Sequence, residues 1–121
     1  MDLARRAVAC KGWRWMPGML PLVFEYGEWT ANPRLDSYTE ESMWVSDKSV
    51  PDLTDPATLG CLLALVREAW GDETIGTAAT READGRRGWV IEAWEPRSPA
   101  NEIGPYETEA AALVAALEAA P

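Results

Sequence analysis

The chain of 121 residues has the length of one ordinary domain, and its 47% apolar and 26% charged residues are typical of a folded protein rather than a disordered one. Its formal net charge of −9 argues against direct binding of nucleic acid, because two acidic surfaces repel each other. The sequence lacks an apolar run of membrane-spanning length and the pattern of a signal peptide, so we expect a single domain, residues 1–121, in a cytoplasm.

The first predicted elements are a short helix and two short strands. Residues 2–10 form an amphipathic pattern of about two turns, which must dock on a core because so short a helix is marginal alone. Residues 13–16 alternate as a strand does, and the Pro17–Gly18 turn leads to a second strand over residues 19–26. Pro21 cannot donate to a ladder, which predicts an edge or a bulge for the second strand.

An irregular acidic segment follows at residues 27–49. The chain from residue 25 to residue 56 carries eight acidic and two basic residues, and no hydrophobic period persists in the segment. It is longer than the connections of compact domains usually are. Two interpretations stay open: a hairpin with strands at residues 34–38 and 42–46, or a functional loop.

The strongest pattern lies at residues 56–70, which predict a core helix. Asp55 suits its N-cap, Pro56 its first position and Gly71 its left-handed end. The apolar stripe widens almost all the way round the helix, and its main members are Leu59, Leu62, Leu63, Val66 and Trp70. We expect a sheet on one side of this helix and another helix or a partner subunit on the other.

The last third predicts a hairpin and a final helix. Residues 74–82 and 88–95 flank an Asp-Gly pair that favours a tight turn, and Trp89, Ile91 and Ala93 share the expected core face. After a proline-rich loop, Tyr106 to Glu109 open a helix with acidic residues at its positive end. Hairpin-linked strands with one-sided helices predict an α+β fold, a small α-β-α layered sandwich with an antiparallel sheet of three to five strands and three helices.

The composition offers no catalytic signature. The chain has no histidine, the commonest general base and metal ligand, and its two cysteines, Cys10 and Cys61, are far apart and suit free thiols on apolar helix faces. We therefore expect no enzyme, no metal site and no cofactor. Neighbouring carboxylates such as Asp52 and Asp55 are common in so acidic a chain, and Asp55 already suits a cap.

Seven tryptophans are more than a core of this size needs. Trp70 and Trp89 suit the core, whereas the others suit core packing, a protein interface or stacking on a planar ligand: Trp13, Trp15, Trp29, Trp44 and Trp94. Arginine binds phosphate or carboxylate with two parallel bonds, so arginines near aromatic residues add to the candidates. The predicted ligand-binding residues are Trp13, Arg14, Trp15, Met16, Arg34, Arg86 and Arg87.

Excess apolar surface also predicts a homodimer or higher oligomer, because monomers rarely expose large apolar patches. The predicted interface residues are Trp15, Trp44 and Trp94. The alternative is that residues 27–49 fold back over the central helix and cover it within one chain.

Three passages carry a family resemblance: LARRAVACKGWRWMPG at residues 3–18, PDLTDPATLGCLLALVREAWG at residues 51–71, and a GWVIEAW strand followed by ETEAAALVAALEAA within residues 88–120. The chain resembles small proteins of tailed bacteriophages and prophages that carry the phage ABA sandwich domain. The resemblance implies a three-layer α-β-α arrangement and a phage origin, so the expected cytoplasm is that of the host bacterium. It implies no functional residue, and residues 27–49 lie outside it.

Small phage proteins without catalytic residues are often accessory factors that bind a host component, which is an analogy rather than a derivation. We expect a non-enzymatic binding protein that counters host antiviral defence by sequestering a nucleotide-type immune signal. One alternative is an acidic inhibitor of a host defence complex, an anti-CRISPR-like mimic of nucleic acid. Another is a structural or accessory phage protein.

Overall fold

The computed structural model describes residues 1–36 and 44–121. Within these residues, three α-helices and five strands confirm the predicted α+β class. In chain order, the elements are α1 (Asp2–Val8), β1 (Pro21–Glu25), β2 (Glu28–Ala31), β3 (Val50–Pro51), α2 (Pro56–Trp70), β4 (Gly76–Arg81), β5 (Arg87–Glu92), a 3-10 helix (Pro99–Glu102) and α3 (Glu109–Ala119).

Local signals explain the two longer helices. The Asp55 carboxylate accepts a hydrogen bond from the backbone N–H of Thr58 at 3.0 Å, and Gly71 ends α2 with φ of 63°. Thr108 caps α3 by accepting from the N–H of Ala111 at 3.0 Å. The predicted bounds of α2, residues 56–70, are confirmed.

The strands are divided between two antiparallel sheets. The first has the order β2-β1-β3, and the second is the β4–β5 hairpin, to which Tyr106 adds an isolated bridge opposite Trp89. Helix α2 connects β3 of the first sheet to β4 of the second. The predicted hairpin of residues 74–82 and 88–95 is confirmed.

The core lies between the sheets and the helices. Its fully buried side chains come from every part of the chain and include Met19, Leu62, Leu65, Val66, Ile75, Ile91, Leu113 and Val114. Ile91 is buried and Trp89 and Ala93 pack against the core, which confirms the predicted inner face of β5. Trp94, two residues beyond the end of β5, is 87% exposed.

The predicted strand over residues 13–16 is wrong. These residues form no ladder, and the N–H of Trp13 instead donates to the carbonyl of Cys10 at 3.1 Å. Both Trp13 and Trp15 pack against the core, so the alternation reflects side-chain burial without strand pairing. The predicted edge position of the next strand is also wrong, because β1 is central and tolerates Pro21 as its first residue.

The segment at residues 27–49 contributes to the fold where it is described. It contains β2, which the sequence pattern does not indicate, and residues 34–36 and 44–46 form no strand. The rest of the predicted hairpin lies at residues 37–43, outside the described residues. Leu35 is buried, and Trp44 and Val45 pack against the core. The described parts of the segment therefore contribute side chains to the core of their own chain.

Among residues 1–36 and 44–121, no helix combines the length and the apolar character that a membrane crossing requires.

Candidate functional site

A cavity of about 560 Å³ lies between α1 and the first sheet. Its lining combines aromatic rings, two cations and one acid, and comprises Arg5, Val8, Ala9, Phe24, Trp29, Asp47, Lys48, Ser49 and Val50. We call it the Trp29 cavity. Its volume suits a small ligand, since pockets for such ligands usually span a few hundred Å³.

Three elements build the Trp29 cavity. Arg5, Val8 and Ala9 stand at i, i+3 and i+4 near the end of α1, so one helix face supplies them. Phe24 and Trp29 are directly paired across β1 and β2, which places both rings on the same face of the sheet. Their centroids lie 5.3 Å apart with the planes tilted by 58°.

The third wall is the turn that precedes β3. The Ser49 hydroxyl accepts from the N–H of Ser46 at 3.0 Å, and the Ser46 hydroxyl accepts from the N–H of Lys48 at 3.2 Å. Ser49 is buried at 3% exposure. These hydrogen bonds fix the backbone that carries Lys48 into the cavity lining.

The lining of the Trp29 cavity brings two cations close to its aromatic rings. Arg5 lies over the ring of Trp29, with 5.6 Å between the guanidinium carbon and the ring centroid. Four cations elsewhere in the described part of the chain form ion pairs with acids: Arg6, Arg14, Arg34 and Arg86. Neither Arg5 nor Lys48 forms such a pair among the described residues.

A second cavity of about 540 Å³ lies beside Cys10 and has a different lining. Its lining has no aromatic side chain, and its Arg6 is bound to Glu118 at 2.6 Å. Cys10 and Cys61 are free thiols, as predicted, and burial raises the pKa of each. A raised thiol pKa disfavours the reactive thiolate, so Cys10 is not an activated nucleophile in this cavity.

The predicted Trp13–Gly18 site is packed rather than open. Trp13 and Trp15 meet edge to face, with centroids 5.3 Å apart and an interplanar angle of 82°, and both pack against the core. Met16 also packs there. Stacking of a planar ligand between these rings therefore requires them to leave the core.

The predicted arginines lie at three separate places. Arg14 binds Glu68 of α2 at 2.5 Å. Arg34 lies beside Gly18, to whose carbonyl it donates at 2.9 Å, but it also binds Asp55. The last two, Arg86 and Arg87, lie at the β4–β5 turn, where a cavity of about 410 Å³ is also lined by two acids, Glu82 and Glu107. Of the three predicted arginines outside residues 13–18, Arg34 is thus the one that contacts this segment, through the carbonyl of Gly18.

The three predicted interface residues differ in how far they are buried. Trp15 and Trp44 are partly buried against the core of their own chain, and the side-chain amide of Asn32 donates to the carbonyl of Trp44 at 2.9 Å. Trp94 is exposed and belongs to neither contact. The assignment of these three residues to an interface stays a prediction.

The residues that line the Trp29 cavity were predicted only in part. Trp29 is among the surplus tryptophans, whereas Arg5, Phe24 and Lys48 carry no signal of their own. A turn at Tyr26–Gly27 pairs Phe24 with Trp29. The glycine of this turn is the sequence signal from which the pairing could have been predicted. The docking of α1 beside the cavity depends on tertiary packing, and the local sequence does not predict it.

Within the described residues, no group of histidine, cysteine, aspartate and glutamate side chains is arranged to hold a metal ion. Comparisons with protein-family models, with curated proteins and with solved structures find no match to this chain.

Proposed function

We propose that this chain is a phage-encoded, non-enzymatic protein that binds a small anionic ligand with a planar ring in the Trp29 cavity. Its role is to counter host antiviral defence, in the host cytoplasm, by sequestering a nucleotide-type immune signal. The observation that carries the proposal is the meeting of two paired aromatic rings with two cations that lack acidic partners among the described residues.

The chemistry of a nucleotide matches this lining in two parts. A base has a flat π-face that stacks on an aromatic side chain, and such stacking contributes about 1–3 kcal/mol per base. Phe24, at 54% exposure, offers such a face at the cavity. A phosphate accepts charge-assisted hydrogen bonds from arginine and lysine, which are stronger than neutral ones. Arg5 and Lys48 supply these donors.

One residue of the lining, Asp47, opposes the binding of an anionic ligand. Asp47 is the single acid among the lining residues, and it lies next to Lys48. A carboxylate near a phosphate lowers affinity through like-charge repulsion. Asp47→Asn is therefore expected to tighten binding of an anionic ligand, which a purely apolar pocket does not predict.

Isothermal titration of the full chain against a panel of cyclic and linear nucleotides tests the proposal. Phe24→Ala is expected to weaken binding about 5- to 150-fold, the equivalent of one stacking contact. Trp94→Ala removes an exposed aromatic ring elsewhere and is the matched control. Lys48→Gln is matched in the same way by Lys11→Gln, which removes an exposed cation outside the cavity.

The proposal predicts losses for the cavity variants and none for their controls. Absence of heat and of any thermal shift across the whole panel contradicts it. Equal losses for Phe24→Ala and Trp94→Ala contradict the assignment to this cavity.

The acidic inhibitor is the second candidate, and the β1–β2 hairpin supports it. Glu25 and Glu28 are exposed and directly opposed across the strands, an arrangement that like charges disfavour unless a basic partner neutralises them. Binding to a basic host protein is then expected to weaken between low and physiological salt, because exposed charges are screened over about 8–10 Å. Glu25→Gln together with Glu28→Gln is expected to reduce that binding and to leave nucleotide binding unchanged.

A further inference from the structure

The β4–β5 hairpin has one edge that other backbone covers and one that is open. On the covered edge, the N–H groups of Trp89 and Ile91 donate to the carbonyls of Tyr106 at 2.7 Å and Ile103 at 3.1 Å, away from β4. Since hydrogen-bonded and non-hydrogen-bonded pairs alternate in an antiparallel ladder, β4 bonds to β5 through its even-numbered residues. Its odd-numbered residues direct their N–H and C=O groups outward: Thr77, Ala79 and Arg81.

Within the described residues, no hydrogen bond joins the backbone of these three residues to another element. The edge also lacks the features that protect exposed strands, since β4 contains no proline and its single charged residue, Arg81, stands at its end. Small side chains fill the rest of the strand, and Ala79 at the centre of the open edge is exposed. A second strand therefore meets no steric obstacle from β4 itself.

A two-fold axis at Ala79 gives one particular pairing of two copies. Outward-facing residues form the hydrogen-bonded pairs of the new ladder, so Ala79 pairs with Ala79 of the second copy and Thr77 with Arg81 of the second copy. About six interchain hydrogen bonds result. The two hairpins then form one continuous four-stranded sheet.

This register places opposite charges together. The Thr77 hydroxyl donates to the Glu109 carboxylate at 2.8 Å, and directly opposed side chains of an antiparallel pair share one face. Arg81 of the second copy therefore lies on the face where Glu109 stands. Within one chain, Arg81 has no acidic partner among the described residues and is directly opposed to Arg87, a like charge.

We propose that β4 pairs with β4 of a second copy about a two-fold axis at Ala79, and that each Arg81 forms an ion pair with Glu109 of the other copy. The partner is this chain itself, because the charge pattern of the edge complements itself in this register. This dimer is independent of the Trp29 cavity, and it uses none of the predicted interface tryptophans, Trp15, Trp44 and Trp94.

Light scattering and sedimentation of the full chain at micromolar to millimolar concentration test the dimer. The wild-type chain is expected to have dimer mass. Ala79→Pro is expected to be monomeric and folded, because the amide N–H that it removes points away from β5 and proline is tolerated on an edge strand. Trp94→Glu is expected to remain dimeric.

A charge exchange tests the register. Arg81→Glu and Glu109→Arg are each expected to weaken self-association, because each homodimer then opposes like charges. An equimolar mixture is expected to restore dimer mass, since one chain then carries two acids and the other two arginines at the paired positions. If Glu109→Arg does not fold, Ala79→Pro and Arg81→Glu decide the proposal.

A monomeric wild-type chain at millimolar concentration overturns the proposal. A dimer that Ala79→Pro leaves intact, or that Trp94→Glu abolishes, overturns it as well and places the interface at the exposed tryptophan instead.

Discussion

Arg34 and Asp55 are joined by two parallel hydrogen bonds, from Nη1 to Oδ2 at 2.6 Å and from Nη2 to Oδ1 at 2.9 Å. The same Asp55 carboxylate accepts from the hydroxyl and the N–H of Thr58 at 2.8 and 3.0 Å, and the Thr58 hydroxyl accepts from the N–H of Leu20 at 3.0 Å. Arg34 also donates to the carbonyl of Gly18. One carboxylate thus ties the start of α2 to two other parts of the chain.

The first prediction concerns the energetic coupling of this pair. Asp55→Ala is expected to lower the free energy of unfolding by about 1–2 kcal/mol, because it removes the N-cap of α2. Asp55→Asn keeps a capping oxygen, so the decrease in the free energy of unfolding that it causes reflects mainly the lost charge. A double-mutant cycle of Asp55→Asn with Arg34→Gln, measured by urea unfolding, is expected to show clear non-additivity.

Arg14 and Glu68 form the matched control pair. Their side chains are 51% and 60% exposed, and exposed ion pairs contribute only about 0–1 kcal/mol. The cycle of Arg14→Gln with Glu68→Gln is expected to be nearly additive. Equal coupling in the two cycles contradicts a special role for the capping carboxylate.

The second prediction is a loss of stability in acid. The Arg34 guanidinium and the two donors of Thr58 hold the pKa of Asp55 well below its usual range. A carboxyl group with a lowered folded-state pKa stabilises the fold above its unfolded pKa, about 3.9, and that stabilisation disappears as the pH falls further. The free energy of unfolding is therefore expected to decrease from pH 5 to pH 2.

Asp55→Asn removes this titration, so its free energy of unfolding is expected to decrease less over the same range. Arg6 lowers the pKa of Glu118 in the same direction, so the variant retains part of the acid dependence. Identical slopes for the wild type and Asp55→Asn contradict the prediction.

The parts of the fold that the sequence predicts well are those with local causes. The caps of α2 and α3 use side chains within a few residues of the first turn, and the Asp84–Gly85 turn sets the β4–β5 hairpin. Strand β2 follows a local turn at Tyr26–Gly27, whereas strand β3 has no such cause. The two residues of β3 are too few to show a period, and their pairing with β1 depends on residues far away in the chain.

The same distinction applies to the candidate site. The surplus of tryptophan and the binding properties of arginine make both residue types candidates for a ligand site. The composition does not show which of these residues lie close together in the fold. Trp13 and Trp15 are close in sequence and yet pack against the core, whereas Trp29 meets Arg5 only because α1 docks against β3 and α3. Long-range packing therefore decides the site, and residue spacing does not encode it.

The third prediction compares two glycines. A Cβ atom at Gly88 stands only 2.8 Å from the Cβ of Pro105, whereas one at Gly60 meets nothing within 4 Å. Gly88→Ala is expected to destabilise the chain by about 1–3 kcal/mol through overpacking. Gly60→Ala, on the exposed side of α2, is expected to stabilise it by about 0.5–1 kcal/mol, because alanine loses less backbone entropy in a helix. Urea unfolding that gives both changes the same sign contradicts this reading of the two positions.

The fourth prediction uses two indole N–H groups with opposite surroundings. The Nε1–H of Trp70 donates to the carbonyl of Ala116 at 2.8 Å, in the last turn of α3, where carbonyls lack intrahelical partners. The Nε1 of Trp13 is buried without a partner among the described residues. Trp70→Phe leaves the Ala116 carbonyl unpaired, whereas Trp13→Phe removes a donor that forms no hydrogen bond.

Both variants lose the same ring volume, so their difference isolates the hydrogen bond. Trp70→Phe is expected to reduce the free energy of unfolding by about 1–3 kcal/mol more than Trp13→Phe does, since an unsatisfied buried polar group costs that much. Urea unfolding monitored by circular dichroism measures both without depending on tryptophan fluorescence. Equal losses of stability mean that the Ala116 carbonyl finds another donor in Trp70→Phe. A larger loss for Trp13→Phe contradicts the prediction, because the Trp13 indole N–H then contributes to stability although it has no partner among the described residues.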